Sequence, residues 1–248
     1  VDFRSPSSKV GSQPLGSGEM FDAIAKRYDM VNKVISLGSD VAWRRALVDA
    51  LDITSEDNVL DLATGTADVA IMISRDASSR GANVTGLDPS ANMLEIGREK
   101  VAAADLSKTV TLIQGDAQAI EYPSNTFDKV CISFGIRNIP DRLSALREMM
   151  RVAKPGARVA VLEFSDPPEG PLAPFARFFL TYILPRLGAL FSGGASEEYM
   201  HLQRSIAAFP LPEEFTLNMK SVGLEIESWR CLHPGGVYLY VAQTPTES

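Results

Sequence analysis

The sequence predicts an α/β fold: a doubly wound sheet of seven strands, parallel except for an antiparallel last strand. Three observations predict it. Short, continuously apolar runs alternate with helical stretches from Asn58 to Phe164, as strands covered on both faces by crossover helices require. Most of these runs close on Gly or Asp, where a chain turns out of a strand. The last two runs, 224–231 and 237–243, are joined only through His233-Pro234-Gly235-Gly236, a hairpin that reverses the chain. The 248 residues, 45% apolar and 22% charged, suit a globular chain whose length allows one large α/β domain or two small ones, and the continuous strand–helix alternation points to one.

The elements follow in order. Residues 1–18 hold five Ser, three Gly and two Pro with almost nothing apolar, which predicts a disordered arm; Arg4 and Lys9 against one acid also fit the remnant of an organellar targeting segment. From Glu19 the spacing is helical: Phe21, Ile24, Ala25 and Tyr28 recur every three to four residues, as do Val31, Val34 and Ile35. Gly38 ends that helical extension, and Val41–Leu51 forms a second helix. Asn58–Leu62 is the first strand, followed by a Gly-bearing turn and a helix from Ala67. Asn83–Leu87 is the second strand, closed by Asp88-Pro89, and Ser90 caps the helix that runs to Ala104. Val110–Ile113 precedes Gly115-Asp116, and Lys129–Phe134 precedes Gly135. Asp141–Ala153 is an amphipathic helix stopped by Pro155-Gly156, and Arg158–Phe164 is the fifth strand.

Composition excludes several functions. A net charge of −7 argues against nucleic acid as a partner, because phosphate binding relies on clustered Lys and Arg. Two cysteines, Cys131 and Cys231, and two histidines make neither a disulfide framework nor a zinc site, so no metal is expected. No stretch reads as a membrane span. Leu172–Phe191 has 14 apolar residues in 20 but is broken by Pro174, Arg177, Pro185 and Arg186.

The chemistry sits in the turn after the first strand, Asp61-Leu62-Ala63-Thr64-Gly65-Thr66-Ala67-Asp68. In a doubly wound sheet, ligands bind at the carboxyl ends of the strands. Small residues there let the backbone approach closely. Asp88, at the next strand end, suits a ribose diol, and an acid about 20 residues past a Gly turn is the spacing of a nucleoside-bearing cofactor. Asp116, after the third strand, similarly suits an adenine. A dinucleotide fingerprint would need three glycines around a pyrophosphate. Only Gly65 is present, with Ala67 and Ala70 in the later places, and Asp61 would repel phosphate. A cationic, phosphate-free cofactor fits better, namely S-adenosylmethionine (SAM).

The pattern D-x-x-x-G-x-(G/A) resembles the first motif of the class I SAM-dependent methyltransferases, which share a Rossmann-like sheet with an antiparallel last strand. Further segments narrow the resemblance: Phe21–Asp29, Val59–Thr66, Met93–Lys100, Ser133-Phe134-Gly135-Ile136-Arg137-Asn138-Ile139, Val161–Ser165 and Ser205–Pro210. Over about residues 19 to 243 the chain resembles the ubiquinone/menaquinone biosynthesis C-methyltransferases of the UbiE type. That family methylates a ring carbon of prenylated quinol precursors. The resemblance implies Thr66, Asp88, Asp116, Ala117 and Ser133 as SAM contacts, beside Asp61 and Gly65 of the turn. Ala67 departs from the family's usual Gly and is expected to place a methyl close to the cofactor.

Methylating an aromatic carbon needs an electron-rich ring, an aligned methyl donor and removal of a proton. Arg137 is the candidate to stabilise a developing phenolate and Asn138 to orient it or hold a water. Tyr28 and Asp68 complete the polar floor, Asp68 as a candidate base. The alternatives are packing for Tyr28, an ion pair to a helix for Arg137 and a helix cap for Asp68. His201 and His233 read as structural or solvent-facing, and Cys131, in the middle of a strand, as core. Residues 172–210 read as a substrate lid rich in aromatics (Phe175, Phe178, Phe179, Tyr182 and Phe191), suited to a polyprenyl tail or a membrane surface, or else to a dimer face. A homodimer or a quinone-synthesis complex is a further expectation, with the enzyme at the cytoplasmic face of a bacterial membrane or inside a mitochondrion or plastid. The competing functions are methylation of another lipid or phenol and a non-catalytic scaffold. DNA adenine methylation is disfavoured by Ser-Phe-Gly at the fourth strand end.

Overall fold

The computed structural model describes residues 22, 25, 33, 36, 38–76, 81–167 and 196–246, with the side chains of 196–200 and 202 excepted. The predicted N-terminal arm, most of the first helix with Tyr28, and positions 172–195 of the predicted lid lie outside these residues. The described elements are α1 (Asp40–Leu51), β1 (Asn58–Leu62), α2 (Asp68–Arg75), β2 (Asn83–Asp88), α3 (Ala91–Ala103), β3 (Val110–Gln114), β4 (Phe127–Ser133), a 3-10 turn (Ile136–Asn138), α4 (Arg142–Val152), β5 (Ala153–Phe164), α5 (Ser196–Ala207), α6 (Pro212–Ser221), β6 (Glu225–His233) and β7 (Val237–Gln243). They build one seven-stranded sheet in the order β3-β2-β1-β4-β5-β7-β6, with β7 antiparallel to both neighbours. The predicted fold is therefore the observed one.

The period-two alternation of the strands sorts their side chains into two cores. Val59, Cys131, Ala160 and Leu239 pack with Trp43, Leu47 and Leu51 of α1 and with the apolar side of α2. Leu60, Val130, Val159 and Tyr240 pack on the opposite face with Leu146 and Met149 of α4 and Phe215 of α6. Asp61 lies on the first of these faces, one residue out of phase with Leu60 and Leu62.

Chain order reverses between β1 and β4, so their carboxyl ends flank the crevice in which this architecture binds ligands. Ser90 caps α3 as predicted, its hydroxyl accepting from the Met93 N–H. One boundary differs by more than two residues. The helix before Pro155 ends at Val152, and β5 begins at Ala153 rather than Arg158, with its pairing to β4 shifted between Phe127 and Lys129. Pro155 lies in this irregular stretch, where a missing N–H and a fixed φ are tolerated by extended backbone.

Candidate functional site

The turn after β1 is held by its own backbone and by β2. Thr64 N–H donates to Leu87 O (3.1 Å), Ala67 N–H to Thr64 O (2.9 Å), and Gly65 N–H to Asp88 Oδ2 (2.9 Å). The path requires positive φ at Ala63 (+48°), Gly65 (+55°) and Ala67 (+67°). Only glycine adopts that region without strain, so two alanines held there mark a backbone fixed by its surroundings. A Cβ built on Gly65 meets nothing within 4 Å, so open space lies beside the turn.

The acids at the strand ends differ in their surroundings. Asp61 is 1% exposed and accepts from Thr64 Oγ1 (2.6 Å) and Cys131 Sγ (3.6 Å). Burial pushes its carboxyl up to about 7 against those two hydrogen bonds. Asp88 is also raised by burial, with backbone N–H groups of Ser90 and Gly65 opposing. Each Asp88 oxygen takes one of these bonds and keeps a lone pair for another donor. Asp116 is exposed and bonded to Gln118 N–H (2.8 Å), while Ala117 beside it is buried. Thr66 is buried, its hydroxyl accepting from Lys100 Nζ (2.9 Å).

Ser133, at the end of β4, faces the turn across a slot that Arg44, Asp61, Thr64 and Gly65 also line. Its Oγ is buried without a hydrogen-bond partner among the described residues. A buried, unpaired hydroxyl costs roughly 1–3 kcal/mol and marks a place for a polar ligand.

The 3-10 turn that follows holds Arg137 and Asn138. Arg137 Nη1 donates to Glu163 Oε1 (2.6 Å) and to Phe134 O (2.6 Å), and its backbone N–H to Glu163 Oε2 (3.2 Å). The guanidinium lies 5.7 Å from the Phe164 ring centre, and its Nε is buried and unpartnered among the described residues. Its ion-pair partner is thus a residue of β5, which has no solvent exposure, and not a helix. Asn138 is 6% exposed, and its Oδ1 lies 3.0 Å from His201 Nε2 of α5.

Two expectations change. Asp68 does not cap α2: the capping position is Ala67, and the Asp68 oxygens are engaged by Lys100 and, at 3.5 Å, by Arg44. Asp68 thus stands at the centre of an ion-pair cluster, with its side chain a third exposed, and lines the same slot as Ser133. Ala67 is fully buried, and a Cβ on Gly97 of α3 would lie 3.3 Å from its methyl. The methyl therefore fills the seam between α2 and α3 instead of standing in the crevice. The sequence reading missed Glu163, Arg44 and Lys100, and set His201 aside. Its placing of Cys131 in the core holds, as does a structural place for His233, whose ring packs on Trp43 at 5.3 Å.

These residues fit SAM: an orphaned hydroxyl at Ser133, open space at Gly65, a carboxylate with spare lone pairs at Asp88, and acids instead of a phosphate cradle. Among the described residues no group of three or more His, Cys, Asp or Glu could hold a metal ion. The sheet order and the acid-lined turn define a class I SAM-dependent methyltransferase. A SAM-dependent methyltransferase from Aquifex aeolicus has the same fold, with a TM-score of 0.60 at 19% identity over 86% of this chain and 97% of that one. So does Haemonchus contortus phosphoethanolamine N-methyltransferase 2 solved with S-adenosyl-L-methionine, with a TM-score of 0.66 at 16% identity over 91% of this chain and 60% of that one.

The chain belongs to the ubiE/COQ5 methyltransferase family, whose model matches residues 9–243. The ubiquinone/menaquinone biosynthesis C-methyltransferase UbiE of Geotalea daltonii is 40% identical over 207 residues, 84% of this chain and 87% of that protein. The demethylmenaquinone methyltransferase of Thermus thermophilus is 40% identical over 226 residues, 91% of this chain and all of its own length.

Proposed function

We propose that this enzyme methylates a ring carbon of a prenylated quinol, a precursor of ubiquinone, menaquinone or phylloquinone. The observation that carries the reading is the buried Arg137–Asn138 turn, set directly after the Ser133 strand end and braced from behind by Glu163 and His201. The activities named for the relatives support it. SAM supplies an electrophilic methyl group. Asp61, Gly65, Thr66, Asp88, Asp116, Ala117 and Ser133 are the residues to hold it, and Asp61 sets a negative charge toward a cationic ligand. Arg137 and Asn138 receive the quinol oxygen, and the guanidinium stabilises the charge that builds on it as the ring becomes nucleophilic. Asp68 or a water held by this turn takes the proton, and Tyr28 completes the polar floor.

A prenylated acceptor partitions into lipid, which supports a working site at a membrane surface, on the cytoplasmic face of a bacterial membrane or inside an organelle. No helix among the described residues is long and apolar enough to cross a bilayer. In this reading residues 172–210 cover the polyprenyl tail. Phe178→Asp should then lower kcat/KM at least tenfold for a long-tailed acceptor and less than threefold for a short one, measured on matched substrates, and equal losses would reject the cover. A homodimer or a larger quinone-synthesis assembly remains part of the proposal and is tested by sedimentation.

The deciding experiment offers labelled SAM with reduced demethyl-benzoquinol and demethyl-naphthoquinol, each with a short prenyl tail. A ring C-methyl product from either supports the reading. No product from both, with SAM binding measured by calorimetry, would overturn it.

A further inference from the structure

The Asn138–His201 contact joins two parts of the chain 63 residues apart, where α5 packs on the 3-10 turn. Asn138 sits in the 3-10 turn with 6% exposure, and His201 is partly buried on α5, the helix that follows residues 168–195. A carbonyl oxygen only accepts, so at 3.0 Å from Asn138 Oδ1 the imidazole Nε2 carries the hydrogen. With Oδ1 occupied, the N–H groups of the carboxamide point the other way. We propose that His201 is the positioning residue that fixes the Asn138 carboxamide, so that its amide N–H groups rather than its carbonyl are presented to the acceptor's ring oxygen.

The inference rests on the quinol reading for its chemistry. An amide that donates stabilises an oxygen gaining negative charge, whereas one that accepts would hold a neutral hydroxyl and resist its ionisation. Together with Arg137 it makes a donor pair on that oxygen. Burial and the charges of Arg137 and Arg204 lower the basicity of His201, which favours the neutral ring with Nε2–H. A neutral donor also adds no cation beside the Arg137 guanidinium, whose own counter-charge is Glu163. Since α5 lies within the predicted substrate cover, residues 172–210, the contact also ties the reacting end of the pocket to that cover.

The test uses the full chain with SAM and a short-tailed demethyl-naphthoquinol. Nitrogen-15 spectra of the two imidazoles, assigned with His201→Gln, should show His201 protonated at Nε2 and bare at Nδ1. His201→Phe should lower kcat about tenfold, as loss of roughly 1.4 kcal/mol in the transition state requires, with the KM for SAM unchanged. His201→Gln, which keeps a donor, should stay within about threefold of the parent. In an Asn138→Ala background, His201→Phe should cost less than about twofold more, because its target is gone. A proton on Nδ1 with Nε2 bare would overturn the orientation. Multiplying losses in the double variant, or equal losses for the Phe and Gln variants, would overturn the positioning role. Absence of quinol methylation by the parent enzyme would overturn the quinol reading, while the nitrogen spectra still judge the orientation of Asn138.

Discussion

Arg137 is the residue on which most of the site depends, and its geometry is set by a partner that contributes no chemistry itself. Glu163, itself without solvent exposure, accepts from the Arg137 side chain, the Arg137 backbone N–H and the Phe164 N–H (2.7 Å). Removing one member of a buried ion pair leaves a charge without compensation and costs about 3–5 kcal/mol. Glu163→Ala should therefore lower unfolding free energy by about that amount in urea titrations. Glu163→Gln, which preserves shape and one acceptor, should lose less stability but let the guanidinium move, cutting kcat at least tenfold while calorimetric SAM affinity stays within threefold. A Gln variant with full turnover would show that Arg137 needs no such fixing. These partners lie 26 residues apart and were not legible in sequence. A carboxylate inside an apolar strand signals burial, but nothing in its spacing says which cation it meets.

The elements that build the crevice were legible, because each is announced locally: apolar runs, a Gly turn, an acid at the strand end, a cap at Ser90. What was not legible is how two strand-end turns from distant parts of the chain fit together. The turns after β1 and β4 are in contact, and a Cβ on Gly135 would lie 2.4 Å from the Cβ of Ala63. Both atoms are fixed to backbone, so Gly135→Ala must push the turns apart, at about 1–3 kcal/mol. Gly65→Ala presents the opposite case. Its added methyl meets nothing within 4 Å, so stability falls only by the roughly 1–2 kcal/mol of a left-handed alanine. The methyl enters the open space where SAM belongs, so SAM affinity should drop at least tenfold. Chemical denaturation and calorimetry on both variants measure this contrast. A Gly65→Ala protein with unchanged SAM affinity would move the cofactor away from this turn. The same long-range blindness hid the Asp68–Lys100 pair, because nothing in the spacing around a helix-start acid says which cation it meets.

For the whole molecule, the acid-lined crevice couples folding to pH. Asp61 has its carboxyl raised from 3.8 to about 7 by burial, so between those values the folded chain holds a proton that the unfolded chain has released. Unfolding is then opposed less as pH rises, and stability should fall by a few kcal/mol from about pH 4 to pH 7. Asp88, also raised, acts in the same direction. The lowered carboxyls of Asp128, Asp141 and Glu148 act in the opposite direction, but their stabilisation is lost only as pH falls below the ordinary carboxylate range. His201, lowered from 6.5, works against Asp61 near pH 6 and is present in both proteins compared. The difference between the parent and Asp61→Asn isolates the Asp61 contribution. Calorimetric melting of the SAM-free proteins should show the parent losing stability from pH 5 to 8 relative to the Asn variant, whose amide does not titrate. A cationic ligand favours the ionised carboxylate, so SAM affinity of the parent should rise over the same interval with release of a proton, and that rise should vanish in Asp61→Asn. A pH-independent affinity in the parent would mean that Asp61 shapes the turn through Thr64 and Cys131 without sensing the ligand's charge.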